Sequence, residues 1–391
     1  MQISPRQSLM EFAGLLQGTL FGALEQAAGE LSEKAKLLIA VLTAVPPQAH
    51  LPASRGWRGR PAKHRQALAT AFLAKAVYGL ETTRQLIDRL RCDRQLLQLC
   101  GWNRARQLPS ESTFSRAFEE FAKTELPQRL HEAVIDKTQR DRLIGHIARD
   151  STAIPARQRC DQVLEQKKES TKDKRRKKSK GRKKHAFARK TAAARGTRMQ
   201  QQRHQKLDRM LQDLPRACDI GAKTNSQGNE QYWRGYKLHL DVADGQLPVS
   251  AVLTSASVHD SQVAIPLMTI TSQRVTHLYE LMDSAYDADA IHQHSRQLNH
   301  VPIIAPHPRR GTKKSSQLPK VFPDKPTPQL TWAQQDRYKL RSMSERVNAR
   351  LKDEFGASHL RVRGAAKVMA HLMFGVLALT VDQWLRLSAP G

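Results

Sequence analysis

Cysteine is scarce: Cys92, Cys100, Cys160 and Cys218 are the four in 391 residues, and no two stand in a CxxC spacing. That excludes a disulfide-stapled module and a paired-thiolate zinc site, and it suits a reducing compartment. Acidic residues are also in short supply, 36 Asp and Glu against 65 Lys and Arg, which leaves a formal charge of +29. Such a surface needs an anionic partner, and DNA, RNA or an acidic membrane would each serve. Membrane is the weakest of the three. The apolar run from Val368 to Val381 carries His371 and falls short of the roughly 20 residues that cross a bilayer, so it reads as a buried helix. The N-terminal stretch MQISPRQSLMEFAGLLQ lacks the compact cationic region and the small-residue cleavage site of a signal peptide.

A chain of this length holds two or three compact units, each able to bury a core. The first 45 residues carry Leu15, Leu16, Leu20, Leu24, Leu31, Leu37 and Leu38 at helical spacings before Pro46 and Pro47. After a turn-rich stretch from Pro52 to Pro61, residues 62 to about 140 read as a small helical bundle. Ser110 is the expected cap of a helix with Phe114, Ala117, Phe118 and Phe121 on one face. Short helices with basic loops suit DNA, although no segment stands out as a recognition helix. Between Gln166 and Arg203 the composition changes, and the run KDKRRKKSKGRKKH from Lys172 to His185 has no apolar face. It reads as a mobile basic insertion that would touch phosphates in a salt-dependent way.

From Gly235 the pattern turns to strands. Tyr236–Val242 and Pro248–Leu253 flank a turn at Asp244 and Gly245, as in an antiparallel hairpin. A helical segment (SQVAIPLMTI), a strand (HLYELM) ending on Asp283, a helix (ADAIHQHSRQL) and a strand (HVPIIAP) follow. Leu143–Ala148 is a further candidate strand that runs toward Asp150. The insertion would then interrupt one α/β domain that starts near residue 140 and resumes near 220.

Asp150 and Asp283 each follow an apolar strand, and strand ends are where open sheets place ligand groups. Each is also an ordinary turn or cap residue when taken singly. His259 and Asp260 compete for the second place, because they too follow a strand and open a helix. The segment YKLRSMSERVNARLK says more. Read as one helix, it sets Tyr338, Arg341, Glu345 and Lys352 within an arc of roughly 60°, with Leu340, Met343, Val347 and Leu351 opposite. A carboxylate ringed by cations suits a metal ion beside phosphates; the plain alternative is an exposed helix with Arg341 paired to Glu345 one turn on. Trp233, Arg234 and Lys237 open the hairpin, where a basic edge and a ring could hold a DNA backbone or a displaced base.

At this point the sequence resembles the DDE transposases of bacterial insertion sequences, in the group with a Y-x2-R-x3-E-x6-K signature, which Tyr338, Arg341, Glu345 and Lys352 match throughout. The DST triplet at Asp150, WRGYKLHLDV, SVHDSQ and MDSAYD extend the likeness from about Asp150 to Leu385. The resemblance implies a ribonuclease H-like α/β catalytic domain, a mixed sheet with helices on its faces, at 140–391, within which the composition places a basic mobile insertion at about 166–215. An all-α N-terminal region at 1–139 would serve DNA binding or dimerisation. It implies Asp150, Asp283 and Glu345 as catalytic metal ligands for Mg²⁺, with Mn²⁺ as substitute. Tyr338, Arg341 and Lys352 become DNA contacts. The implied partners are terminal inverted repeats and target DNA, the implied assembly is a homodimer pairing two ends, and the implied location is the cytoplasm, on the nucleoid. Two such ions about 3.5–4 Å apart serve cleavage and strand transfer alike. A metal-dependent nuclease without strand transfer, or a non-catalytic DNA-binding relic, are the alternative readings.

Overall fold

The computed structural model describes residues 25–26, 29–51, 64–160, 197–224, 229–306 and 330–388. Among the described residues, the N-terminal part holds helices α1 (Glu33–Ala44), α2 (Arg65–Val77), α3 (Thr83–Cys92), α4 (Arg94–Leu99), α5 (Glu111–Lys123) and α6 (Leu126–Gln139). Strand β1 (Leu143–Pro155) follows, then α7 (Arg198–Gln202), α8 (Leu207–Gln212), β2 (Asp219–Thr224), β3 (Glu230–Ala243) and β4 (Leu247–Ser255). The remainder runs α9 (Ser261–Arg274), β5 (Thr276–Met282), α10 (Asp289–Gln297), β6 (Val301–Ile304), α11 (Trp332–Lys339), α12 (Ser342–Asp353) and α13 (Ala365–Ser388).

Local chemistry sets the starts of the first helices. The Ser32 hydroxyl accepts the Ala35 N–H at 3.2 Å to cap α1. Thr82 and Gln85 form a reciprocal capping box on α3, satisfying backbone donors that a helix start leaves free. Ser110 stands at the cap position of α5, but its hydroxyl bonds the Ser112 and Thr113 hydroxyls instead of a backbone amide. The aromatic face read from the sequence is buried as expected, with Phe114, Phe118 and Phe121 in the core.

The apolar run at the C-terminus is a buried helix, as its His-interrupted composition suggested, and it is longer than the run itself. Among the described residues α13 alone is long and apolar enough to cross a bilayer, and 72% of its most apolar window is buried within the protein. It packs on α1, α2, α5 and α6, and also on β4. Phe374 lies 6.2 Å from Phe72 and 6.3 Å from Phe118, ring centre to ring centre. One continuous apolar core therefore joins the N-terminal helices to the sheet.

The sheet is mixed. β4, β3 and β1 are antiparallel neighbours, and β5 and β6 continue beyond β1 in parallel. β3 is long enough to pair β2 through its first half and both β1 and β4 through its second. The hairpin read from the sequence is β3–β4, and Gly245 at φ 78° and Gln246 at φ 63° make the left-handed turn.

A buried ion network crosses the middle of the sheet. Arg149 of β1 is 1% exposed and reaches Asp241 of β3 at 2.6 Å and Glu280 of β5 at 3.4 Å. The guanidinium thus ties the three central strands together, at a desolvation cost that only its carboxylate partners offset.

Most of the basic insertion, Lys172–His185 included, lies outside the described residues. The expected mobile stretch to 215 is corrected at its end. Residues 198–212 hold α7 and α8, packed on α9. Met210 and Leu214 are buried there, and the Gln202 side-chain amide donates to the Gln262 carbonyl at 2.9 Å. These apolar side chains give the segment a face to bury, which the lysine run before it lacks.

Candidate active site

β1 and β5 run parallel as far as the pair Ala148–Leu281. Asp150 and Asp283 each lie two residues past it, so they leave adjacent strands at one level and on one face. Asp150 is not at a strand end as the sequence suggested, because β1 continues along β3 to Pro155. Asp283 does follow the last residue of β5 directly. Its Oδ1 accepts the Ala285 N–H at 2.9 Å, capping a short 3₁₀ turn at Ser284–Tyr286.

Burial, with a further push from the Asp283 charge, raises Asp150 to about 6. Burial and then the Asp260 charge raise Asp283 in the same direction. The buried Tyr286 hydroxyl is driven well above its ordinary value by burial and by Asp260, Asp150 and Asp283 together. Asp150 and Asp283 therefore share a poorly solvated site, where a proton or a cation is favoured.

Asp260 answers differently. It opens α9 without capping it. Its carboxylate takes Lys237 Nζ at 3.0 Å and lies 3.9 Å from His239 Nδ1. Burial acts to raise it, but His239 and Lys237 outweigh that and hold it below the usual range. Asp260 is thus already paired with a protein cation, Lys237, whereas neither Asp150 nor Asp283 has an ion pair among the described residues.

The segment read as one helix is two. α11 ends at Lys339 and α12 begins at Ser342, with three-residue hydrogen bonds such as Arg341 N–H to Tyr338 O at 3.0 Å across the joint. Met343, Val347 and Leu351 are buried as the pattern required, while Leu340 is 44% exposed at the joint. Glu345 lies in the first turn of α12, its side chain 54% exposed, with Oε1 held by Arg341 Nη2 at 2.6 Å. The Arg341 charge also acts on Asp150 and Asp283. The arginine therefore stands between Glu345 and the aspartate pair, and its guanidinium is 5.7 Å from the Tyr338 ring centre. The sequence reading missed Asn348, which is 6% exposed and donates from Nδ2 to Asp150 Oδ2 at 3.1 Å. A polar residue one turn past Glu345, among positions that bury Val347 and Leu351, was the available signal.

Lys352 is half-buried, and burial followed by Lys223 lowers its ammonium. Lys223 of β2, also missed, acts on both Asp150 and Asp283. Cations thus line the rim of an acidic floor. At the hairpin entry, Arg234 is exposed. The Trp233 indole N–H donates to the Tyr236 carbonyl at 3.0 Å, and Lys237 is engaged by Asp260 and by the Val258 carbonyl at 2.9 Å. Among the described residues, only His277, Glu280 and His300 form a group of three whose donor atoms all fall within 4.8 Å. The two imidazole ring centres lie 3.7 Å apart and Glu280 is shared with Arg149, which makes the three part of the buried ion network.

A family model described as a transposase DDE domain matches residues 196–381. A second, described as a transposase domain, matches residues 36–120. The chain belongs to the DDE transposase family. No curated protein and no solved structure matches it. The DDE domain match holds Asp283 and Glu345 and begins after Asp150, while the second match falls within the N-terminal helices of this DDE transposase. The family brings DNA as the partner and a general dependence on divalent metal.

Proposed function

We propose that this transposase cleaves DNA at the ends of an insertion sequence and transfers the freed 3′-hydroxyl to target DNA, through divalent ions held by Asp150, Asp283 and Glu345. The observation that carries the reading is the level pairing of Asp150 and Asp283 past Ala148–Leu281, in a pocket that raises both carboxylates. The mixed sheet, with β1, β5 and β6 parallel and α9 and α10 leading into β5 and β6, supports a ribonuclease H-like catalytic domain at 140–391.

The donor set is all oxygen and fits a hard cation such as Mg²⁺, with Mn²⁺ as substitute. Bound there, the ions would supply charge stabilisation to the attacking and leaving oxygens of an in-line displacement. Asp150 and Asp283 provide the fixed part of the site, and Asn348 orients Asp150. Arg341 exchanges Glu345 for a DNA phosphate, which frees the glutamate to complete the triad and fixes the scissile strand. Tyr338, Lys352, Trp233 and Arg234 contact the strand beside it, and Lys237 positions Asp260. The N-terminal helices recognise the terminal inverted repeats, and two copies pair the two ends as a homodimer.

The test is cleavage and joining of a labelled DNA end in Mg²⁺ or Mn²⁺, comparing the parent with Asp150→Ala, Asp283→Ala, Glu345→Ala and Asp260→Ala. Loss of both steps in the first three and their retention in Asp260→Ala is the expected result. Metal-independent cutting, or cutting insensitive to the triad, would sink the proposal. Cutting with no joined product would reduce it to a nuclease.

A further inference from the structure

Away from the carboxylates, a cavity of about 440 Å³ opens between α2, α5 and the start of α13. That lies within the range of about 300–1,000 Å³ typical of small-ligand sites. Lys75, Arg361, Arg363 and Lys367 line it, the Thr83 and Ser115 hydroxyls add donors, and Phe72, Phe118 and Val362 supply an apolar wall. No carboxylate is among the lining residues.

The cations are not equally free. Arg361 Nη2 is bound to Glu81 at 2.8 Å, and Lys367 Nζ lies 3.3 Å from Glu119. Lys75 is 8% exposed, and among the described residues its ammonium has neither an ion pair nor a hydrogen bond. A lysine this deep is normally paired, since an isolated buried charge is costly. Burial accordingly draws it down to about 8, against a partly compensating attraction from Glu81. The first turn of α13 carries no acidic residue. The positive end of a 24-residue helix therefore adds to the same field.

We propose that this cavity is a binding site for a phosphate ester, with Lys75 as its buried anchor and Arg363 as its entrance contact. The wall of Phe72 and Phe118 suits a ligand that carries an apolar ring beside its phosphate. Two carriers share that chemistry, a free nucleotide and the terminal phosphate of a DNA strand. The site is independent of Asp150, Asp283 and Glu345, so Asp150→Ala retains it.

The experiment uses the full chain and compares thermal unfolding in inorganic phosphate and in chloride at equal ionic strength. The parent is set beside Lys75→Met, Arg363→Gln and Arg296→Gln, the last removing an exposed charge on α10. At phosphate near 100 times its dissociation constant, a binding site lowers the unfolding constant about 100-fold. The parent and Arg296→Gln should show a saturable response, while Lys75→Met and Arg363→Gln should need at least about tenfold more phosphate, the loss expected when a charge-assisted contact is removed. No difference between phosphate and chloride in the parent overturns the site. So does a Lys75→Met protein that responds as Arg296→Gln does. To separate the carriers, a mononucleotide and a duplex with or without a 5′-phosphate are added to the same proteins. A Lys75-dependent preference for the phosphorylated duplex assigns the strand terminus; Lys75-dependent binding of the mononucleotide alone assigns the small ligand.

Discussion

Asn348 donates a hydrogen bond of 3.1 Å to Asp150, across 198 residues of sequence, and so joins α12 to the centre of the sheet. That contact orients a carboxylate which has no other side-chain donor among the described residues. Asn348→Ala should lower the cleavage rate about tenfold while leaving DNA affinity unchanged, as expected when a group positioning the reacting centre is lost. Asn348→Asp should do worse, because a second negative charge, beside that of Asp283, would face Asp150. Single-turnover cleavage beside equilibrium binding separates the two effects.

Asp150 also predicts a stability effect of opposite sign to its role in activity. Its folded-state value near 6 lies above the ordinary 3.8, so the folded state favours the protonated form. The resulting penalty is absent below the ordinary value, grows between 3.8 and about 6, and is fully present above that. Asp150→Asn should therefore stabilise the protein at pH 7.5 without divalent ions by an amount on the order of 1–3 kcal/mol, seen as a higher melting temperature. Added Mg²⁺ should narrow the gap by stabilising the parent alone. A parent that melts no lower than Asp150→Asn in chelator would remove the electrostatic argument.

Lys237 and Asp260 offer a double-mutant test of what Asp260 does. Both are largely buried and 3.0 Å apart. Lys237→Ala and Asp260→Ala should each destabilise, and the double variant by less than their sum, with a coupling of about 1–3 kcal/mol in chemical denaturation. Additive losses would mean that the pair does not neutralise Asp260.

Arg149→Met leaves Asp241 and Glu280 buried without their shared cation. It should destabilise by about 3–5 kcal/mol. Replacing all three residues with apolar ones should recover much of that loss, which urea denaturation can measure. Equal stability of the parent and Arg149→Met would show that the network is not held by the guanidinium.

Lys75→Met should stabilise the protein at neutral pH in chloride buffer. The charge that acts on the lysine is the attracting Glu81, while Arg361, Arg363, Lys367 and the buried His371 line the same cavity. Its folded value of about 8 lies below the ordinary 10.5, so the charged form is disfavoured on folding. The penalty is complete below about 8 and disappears as pH rises to 10.5, so the gain, about 2–3 kcal/mol at pH 7, should fade over that window. Thermal melts at pH 7 and pH 10 check both its size and its fading.

Much of the architecture was legible in the sequence because it is local. The β3–β4 hairpin follows from alternating apolar residues about an Asp-Gly turn, and the α5 core face from phenylalanines at helical spacing. The tyrosine, arginine, glutamate and lysine that carried the family resemblance are a pattern of spacing too. What the sequence could not supply depends on partners distant along the chain. Only the parallel register of β1 and β5 sets Asp150 level with Asp283, and only the packing of α12 on the sheet brings Asn348 to Asp150. The break at Leu340 and Arg341 escaped the helical period because no proline or glycine marks it. Asp260 and Asp283 look alike as acids after strands. They are told apart by Lys237, which neutralises one and not the other, and that difference exists only once β3 and α9 are folded together. Residue type and spacing determine which groups can do chemistry; burial and the charges of distant neighbours decide which of them keep a free carboxylate.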